Sequence, residues 1–413
     1  MLKIPEVFTP RSSTVNLKTY VPRLDLERAL IRSIRGSMHS LLFGESGNGK
    51  SWMYKKVLEQ NLIPYRVANC ANASRLKSLT SEIVGALIPS GTAQKTGFTE
   101  NKEASIKAIV AEGKFTHQGQ YKLQLEEPLE DAFAKIRRHI GDGPLVVVLD
   151  NLESIFNNST LMDELADIII LLDDHRYAKY GIKFIIVGVP NGVLEYFAKT
   201  KNLESVSNRL EELPKVTGLT LPMVKTLAKT GFNELLKANI LPEGIDSIAG
   251  HCHHITMGVA QRVQEYFEKL AYQIEDNRGV FQFELLQKAD KDWLRLGMRQ
   301  GYTVVESHLN SKRTSIARRN QVIYCIGKIK SHQIDSGVIT EQLKEEFSET
   351  ISETNMGIGS ILAELASGDS PLLKKNPKTN EYRVVDPRYI MCIRIMLRKD
   401  PVTGVVEKLS FAS

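Results

Sequence analysis

No stretch of this 413-residue chain approaches the roughly 20 consecutive apolar residues that a membrane-spanning helix needs, which argues against a membrane partner. The opening residues, Met1-Leu2-Lys3-Ile4-Pro5-Glu6, lack the charged segment and long apolar core of a secretory signal. Cysteine is scarce. Cys70, Cys252, Cys325 and Cys392 lie far apart, which points to reduced thiols in a cytoplasmic protein rather than to a disulfide frame. Neither G-x-S-x-G nor H-E-x-x-H occurs, so the common serine-hydrolase and zinc-protease constellations find no support. His251-Cys252-His253-His254 is the one crowded Cys/His run. A structural zinc site combines two spaced ligand pairs, and no second pair lies near, so the run reads as a loop or a packed helix start. The charge imbalance is modest, +6 with a pI near 8.9, compatible with nucleic acid without requiring it.

What the chain does have begins at Gly44-Glu45-Ser46-Gly47-Asn48-Gly49-Lys50-Ser51, which fits the phosphate-loop pattern G-x-x-x-x-G-K-[ST]. Ser40–Phe43 before it reads as a buried strand, and Trp52–Glu59 after it as a helix. Strand, glycine-rich turn and helix form the context in which the motif has a mechanism. Glycines let backbone N–H groups turn toward phosphate oxygens, and the following helix presents its positive end to the same anion. Lys50 can bridge the outer phosphates, and the Ser51 hydroxyl can ligate Mg²⁺. Trp52 joins the cofactor-binding set as the first residue beyond the motif.

Leu145–Asp150 is a second anchor. It is an apolar strand ending in an acid, the Walker B pattern, with Asp150 placed to hold the Mg²⁺ shell. Further strands are expected at Ile63–Asn69, Lys183–Gly188 and Val216–Leu219. Helices are expected at Leu24–Ile34, Ala73–Leu87, from Pro128 to Ile140, and over Leu161–Leu172. Pro10–Ser13 reads as a flexible lead-in, and residues 88–124 as an exposed insertion without core periodicity. Asn191, at the end of the Lys183–Gly188 strand, is either a γ-phosphate sensor or a turn residue after Pro190.

The order of phosphate loop, Walker B strand, sensor-like strand, arginine-bearing helix end and final strand resembles the AAA+ ATPases. The likeness is closest to the origin-recognition and initiator-loader branch and to its prokaryotic relatives, the transposition-regulator and defence-associated ATPases. It implies an α/β P-loop fold binding ATP and Mg²⁺, with a nucleotide domain over 1–219 and a helical lid over 220–300. A winged-helix-like domain over 301–413 would follow. It also implies that Arg209 reaches a neighbouring subunit's nucleotide in a homo-oligomer; the other reading of Arg209 is a surface residue paired with Glu211 or Glu212. In that family a Glu commonly follows the Walker B Asp to polarise water. Asn151 stands there instead, so Glu153 becomes the nearest candidate and slow hydrolysis is expected. Arg262 is the near match for the arginine that a lid contributes.

In the last region, helices are expected at Asn320–Ile329, Thr340–Phe347 and Asn355–Ala366, followed by a hairpin through Pro371–Val385. Residues 310–400 carry 15 Lys/Arg against 11 Asp/Glu. Lys374, Lys375, Lys378 and Arg383 fall on the hairpin, while the third helix carries no Lys or Arg. DNA contact would therefore be led by the backbone phosphates. A protein-binding role for the same region stays open. Two functional readings follow: an ATP-gated assembly on or near DNA, or an ATP-gated signalling switch that controls a separate effector protein, as in antiviral defence.

Overall fold

The computed structural model describes residues 2–88, 127–188, 197, 203–310, 317–329, 333–348, 357–400 and 403–409. Asn191 and nearly all of the 88–124 insertion lie outside them. The chain divides into two compact units. One comprises Arg23–Gly44 and Lys50–Val216; the other comprises Met1–Pro22, Glu45–Gly49 and Thr217–Ser413.

The first unit is built on a parallel sheet of β1 (His39–Phe43), β2 (Tyr65–Asn69), β3 (Leu145–Asp150), β4 (Ile182–Gly188) and β5 (Leu210–Glu212), in the order β2-β3-β4-β1-β5. The alternation of side chains along the central strands explains why they are apolar throughout. Val146, Val148, Ile185, Val187 and Leu42 join one core with Leu30, Ile34, Met53 and Tyr54. Val147, Leu149, Phe184, Ile186 and Leu41 join another with residues of the helices Leu79–Leu87, Pro128–Ile140 and Ser159–Leu171. Covering both faces forces the strands to connect through helices, and it aligns their carboxyl ends at one edge.

Two sequence expectations fail in this unit. The final strand is not Val216–Leu219 but Leu210–Glu212, paired to β1 with His39 level with Leu210; Val216 makes only an isolated bridge to Gly44. A three-residue edge strand carrying two exposed acids gives almost no periodic signal. The expected helix Ala73–Leu87 is two helices, Cys70–Leu76 and Leu79–Leu87. Lys77 closes the first in the left-handed conformation, and Ser78 caps the second. The Glu164 carboxylate then accepts from the Leu79 and Thr80 N–H groups, each at 2.8 Å, and this long-range cap fixes the break.

The second unit is largely helical. Its helices span Leu221–Ala228 (continued by a π-helical turn, Lys229–Leu235), Pro242–Thr256, Ala260–Asp276, Glu284–Gly297 and Arg299–His308. Arg318–Lys328, Ser336–Glu346, Ile358–Leu365 and Pro387–Met396 follow among the described residues. Two antiparallel hairpins accompany them, β6 (Leu373–Lys375) with β7 (Tyr382–Val384) and β8 (Leu397–Lys399) with β9 (Val406–Lys408). A single apolar cluster runs through this unit from Ile4 to Val406, without a break near residue 300. The amino-terminal residues Ile4, Val7 and Phe8 are part of it, while Arg11–Ser13, within the expected lead-in Pro10–Ser13, are exposed. A short helix, Ile4–Val7, buries Ile4 and Val7, and the Phe8 ring sits 5.2 Å from Phe232 and 5.7 Å from Phe267. Gly231 makes room for that ring, since a Cβ there would lie 2.5 Å from it.

Candidate nucleotide site

β1 ends at Phe43, and the helix Lys50–Gln60 begins seven residues later, so Gly44–Gly49 must reverse the chain tightly. Gly47 (φ +81°) and Gly49 (φ +85°) occupy backbone conformations that a side chain disfavours. At Gly44 the constraint is space, because a Cβ would meet the Val216 carbonyl oxygen at 2.3 Å. Within the loop, the Asn48 N–H donates to the Glu45 carbonyl at 3.3 Å, and Asn48 is buried while Ser46 is exposed. The Gly47 carbonyl accepts from the Gln261 N–H at 2.9 Å, a contact inside the second unit. Lys50 opens the helix and folds back so that Nζ donates to the Gly44 carbonyl at 2.7 Å. Trp52 is half-buried on the first turn of the helix.

Ser51 and Asp150, 99 positions apart, meet at the carboxyl edge of the sheet. Ser51 Oγ donates to Asp150 Oδ2 at 3.0 Å. The same oxygen accepts from the Tyr54 hydroxyl at 2.9 Å, and Oδ1 accepts from the Asn151 N–H at 2.9 Å. Burial, and then the Asp150 charge, push the Tyr54 phenol far above its ordinary pKa, so it acts as a donor at any pH the protein meets. Cys70 is pushed up to about 12 by burial and by Asp150, Glu153 and Glu82, and it stays a thiol. Hydroxyl and carboxylate oxygens form a hard donor set that suits Mg²⁺, and the lysine and glycine-rich loop suit phosphate. The residues present therefore fit Mg–ATP.

Asn151 sits in the left-handed region (φ 60°, ψ 43°), and its Nδ2 donates to Asn69 Oδ1 at 3.2 Å. Asn69 is level with Asp150 on β2, and the same Oδ1 accepts from the Ala71 N–H at 2.9 Å. Asn is among the few residues that tolerate this backbone, which gives a structural reason for Asn where a Glu was looked for. Glu153 lies exposed on the single turn Leu152–Ser154 that follows.

Arg209 lies at the opposite end of the sheet. Its carbonyl accepts from the His39 N–H at 2.8 Å, level with the start of β1, whereas the phosphate loop begins after the end of that strand. Its Nε lies 2.7 Å from Asp173 Oδ2 in an ion pair whose angle falls short of a hydrogen bond, and Nη1 donates to the Ser205 carbonyl at 2.6 Å. The partner is thus Asp173 rather than Glu211 or Glu212. Arg262 is bound to Glu265 at 2.6 Å. On the β6–β7 hairpin, Lys374, Lys375, Lys378 and Arg383 are all exposed, with Lys374 directly opposite Arg383. His251 and its neighbours occupy the last turns of the helix Pro242–Thr256, with His251 Nε2 paired to Asp290 Oδ1 at 2.7 Å.

Sequence reasoning missed Tyr54 and Asn69. Tyr54 was accessible in principle, because it lies three residues after Ser51 and so shares its helix face. Asn69 was not, because only strand pairing sets it beside Asp150.

Residues 33–197 match the AAA domain family. No curated protein matches. Among solved structures, the chain resembles the Aeropyrum pernix ORC2 protein in its ADPNP–ADP complexes, at 14% identity and a TM-score of 0.50, covering 94% of this chain and 97% of that one. It also resembles the Aeropyrum pernix ORC1 protein in complex with DNA, at 16% identity and 0.47, covering 95% and 96%. A Walker-type ATPase of Pyrococcus abyssi matches at 15% and 0.49, covering 91% and 96%. The family match and the sheet order together identify residues 33–197 as an AAA domain, carried in a chain whose fold is the P-loop fold seen in the archaeal ORC2 protein.

Proposed function

We propose that the chain is an AAA+ ATPase whose binding and slow hydrolysis of Mg–ATP gate assembly with further copies of itself, on or near DNA. The observation that supports this most is the hydrogen bond between Ser51 and Asp150, because it joins the phosphate-loop serine to the acid of a strand far away in sequence. In this reading Gly44, Glu45, Ser46, Gly47, Asn48, Gly49, Lys50 and Ser51 cradle the phosphates, with Trp52 beside them. Ser51 and Asp150 hold Mg²⁺, Glu153 orients water, and Asn191 senses the γ-phosphate. Residues 220–300 act as the lid.

Arg209 acts in trans. It starts about five strand residues below the phosphate loop, or roughly 17 Å at strand rise, which is beyond the reach of an arginine side chain. A nucleotide that it meets belongs to another copy. Residues 301–413 form a winged-helix-like domain in which the exposed cations of the β6–β7 hairpin touch DNA phosphates. The hydrogen-bonded helices and hairpin, with Ile334 bridging to Tyr382, support this reading.

The test is Lys50→Ala. The variant should stay folded and lose at least about tenfold in ATP affinity, as expected when a charge-assisted contact to phosphate is removed. Wild-type protein, but not the variant, should sediment as a larger species when ATP and duplex DNA are added. Unchanged ATP affinity in a folded variant would sink the site assignment. A wild-type chain that binds ATP yet stays monomeric with DNA would sink the assembly reading alone.

A further inference from the structure

Away from the phosphate loop, the second unit holds a cavity of about 290 Å³ lined by His254, Tyr324, Lys328, Arg394, Arg398 and Lys399, with Gly327, Ile393 and Leu397 completing the wall. Its floor exists because Gly327 lets two helices close on each other; a Cβ there would lie 2.6 Å from Ile393 Cγ2. Four of the lining groups are cations and none is an acid. The Glu346 carboxylate lies 3.9 Å from Lys328 Nζ, too far for a hydrogen bond. Lys399 is anchored on the Glu346 main-chain carbonyl, and Arg394 on the carbonyls of Gly327 and His254, so these two bring charge without an anionic partner. Arg398 is exposed and makes no ion pair among the described residues. His254 is pushed down to about 4, first by burial and then by Arg394 and Lys328, so the imidazole is neutral near pH 7 and the cavity field is positive.

We propose that this cavity binds an organic phosphate of about one nucleotide in size, as a site separate from the phosphate loop. The cations take the phosphate, and Tyr324, Ile393 and Leu397 supply apolar wall for an attached ring. The volume lies near the lower end for small-molecule pockets, which begin at about 300 Å³, so a single nucleotide unit fits better than a length of polymer. Two sources share this chemistry, a free nucleotide and the phosphorylated end of a nucleic-acid strand.

The experiment uses the full-length Lys50→Ala chain, checked by thermal melting, titrated calorimetrically with AMP, CMP, GMP, dTMP, a 5′-phosphorylated trinucleotide and inorganic phosphate. At least one organic phosphate should bind about tenfold more tightly than inorganic phosphate. Arg398→Ala and Lys328→Ala, placed separately on that background, should each weaken it by about tenfold, the loss expected for one charge-assisted contact. Binding of a mononucleotide identifies the free source. Binding of the trinucleotide alone identifies the strand end. In the wild-type chain the same ligand should add a binding step that Arg398→Ala weakens by the same factor of about ten, while ATP binding at the phosphate loop is unaltered. Absence of binding by every organic phosphate, or binding indifferent to both substitutions, would overturn the proposal.

Discussion

Tyr54→Phe isolates one bond at the heart of the site. Tyr54 is fully buried, so phenylalanine fills the same space and only the hydroxyl is lost. That hydroxyl donates to Asp150 Oδ2 at 2.9 Å, on the oxygen that Ser51 also bonds. A hydrogen bond to a charged acceptor contributes about 1.5–3 kcal/mol, and its loss leaves part of a carboxylate under-solvated. For a unit of this size, roughly 2–4 °C in Tm per kcal/mol converts that into a fall of roughly 3–12 °C without ligand. The functional effect is separate. Groups that orient a metal ligand commonly account for about 10–100-fold in metal affinity, so the Mg²⁺ midpoint of ATP binding should rise by about that factor. ATP binding in excess EDTA should not change, because Tyr54 lies on the metal side and not on the loop backbone. The shift should also be the same at pH 6 and pH 9, since burial keeps the phenol protonated across that range. An Mg²⁺ midpoint within about twofold of wild type, in a variant whose Tm has fallen as expected, would refute the positioning role and leave Tyr54 a packing residue.

Three other outcomes are expected, the first resting on the proposed trans role of Arg209. Arg209→Ala should keep ATP binding and lose hydrolysis by about 10³-fold or more, and mixing it with Lys50→Ala protein should restore part of the activity; a mixture as inactive as its components would exclude action in trans. Asn151→Glu should destabilise the chain by about 1 kcal/mol because its backbone is left-handed, whereas Asn151→Gly should be nearly neutral in urea melts; equal costs would show that the backbone relaxes. His39 is buried in β1, its Nδ1 accepts from the Phe184 N–H at 3.2 Å, and burial followed by the Lys183 charge lowers its pKa to about 4. The folded value is below the unfolded one, so His39 contributes stability above about pH 6.5 that drains away as pH falls toward 4. The loss is about 3 kcal/mol by linkage, and it should be smaller in His39→Asn. An acid profile unchanged by that substitution would assign acid lability to other groups.

The sequence alone carried the parts whose signal is local. A phosphate loop needs glycines where the backbone turns and Lys-Ser where the helix starts, so Gly44–Ser51 is readable wherever the chain goes afterwards. Strands buried on both faces must be apolar throughout, so Leu145–Asp150 and Ile182–Gly188 announced themselves within a residue or so. What stayed hidden depends on partners distant in sequence. β5 is a strand because β1 offers it an edge, and its own composition says little. The break at Lys77–Ser78 is held by Glu164, which reaches the second helix from 85 residues away. The amino-terminal Ile4, Val7 and Phe8 carry no sign of their destination, and only packing, with Gly231 leaving room for the Phe8 ring, decides that they close the core of the second unit. At the site itself, sequence named Ser51 and Asp150 separately. Folding then added Tyr54 and Asn69 and, at the opposite end of the sheet, tied Arg209 to Asp173, because those contacts arise from strand register and helix packing.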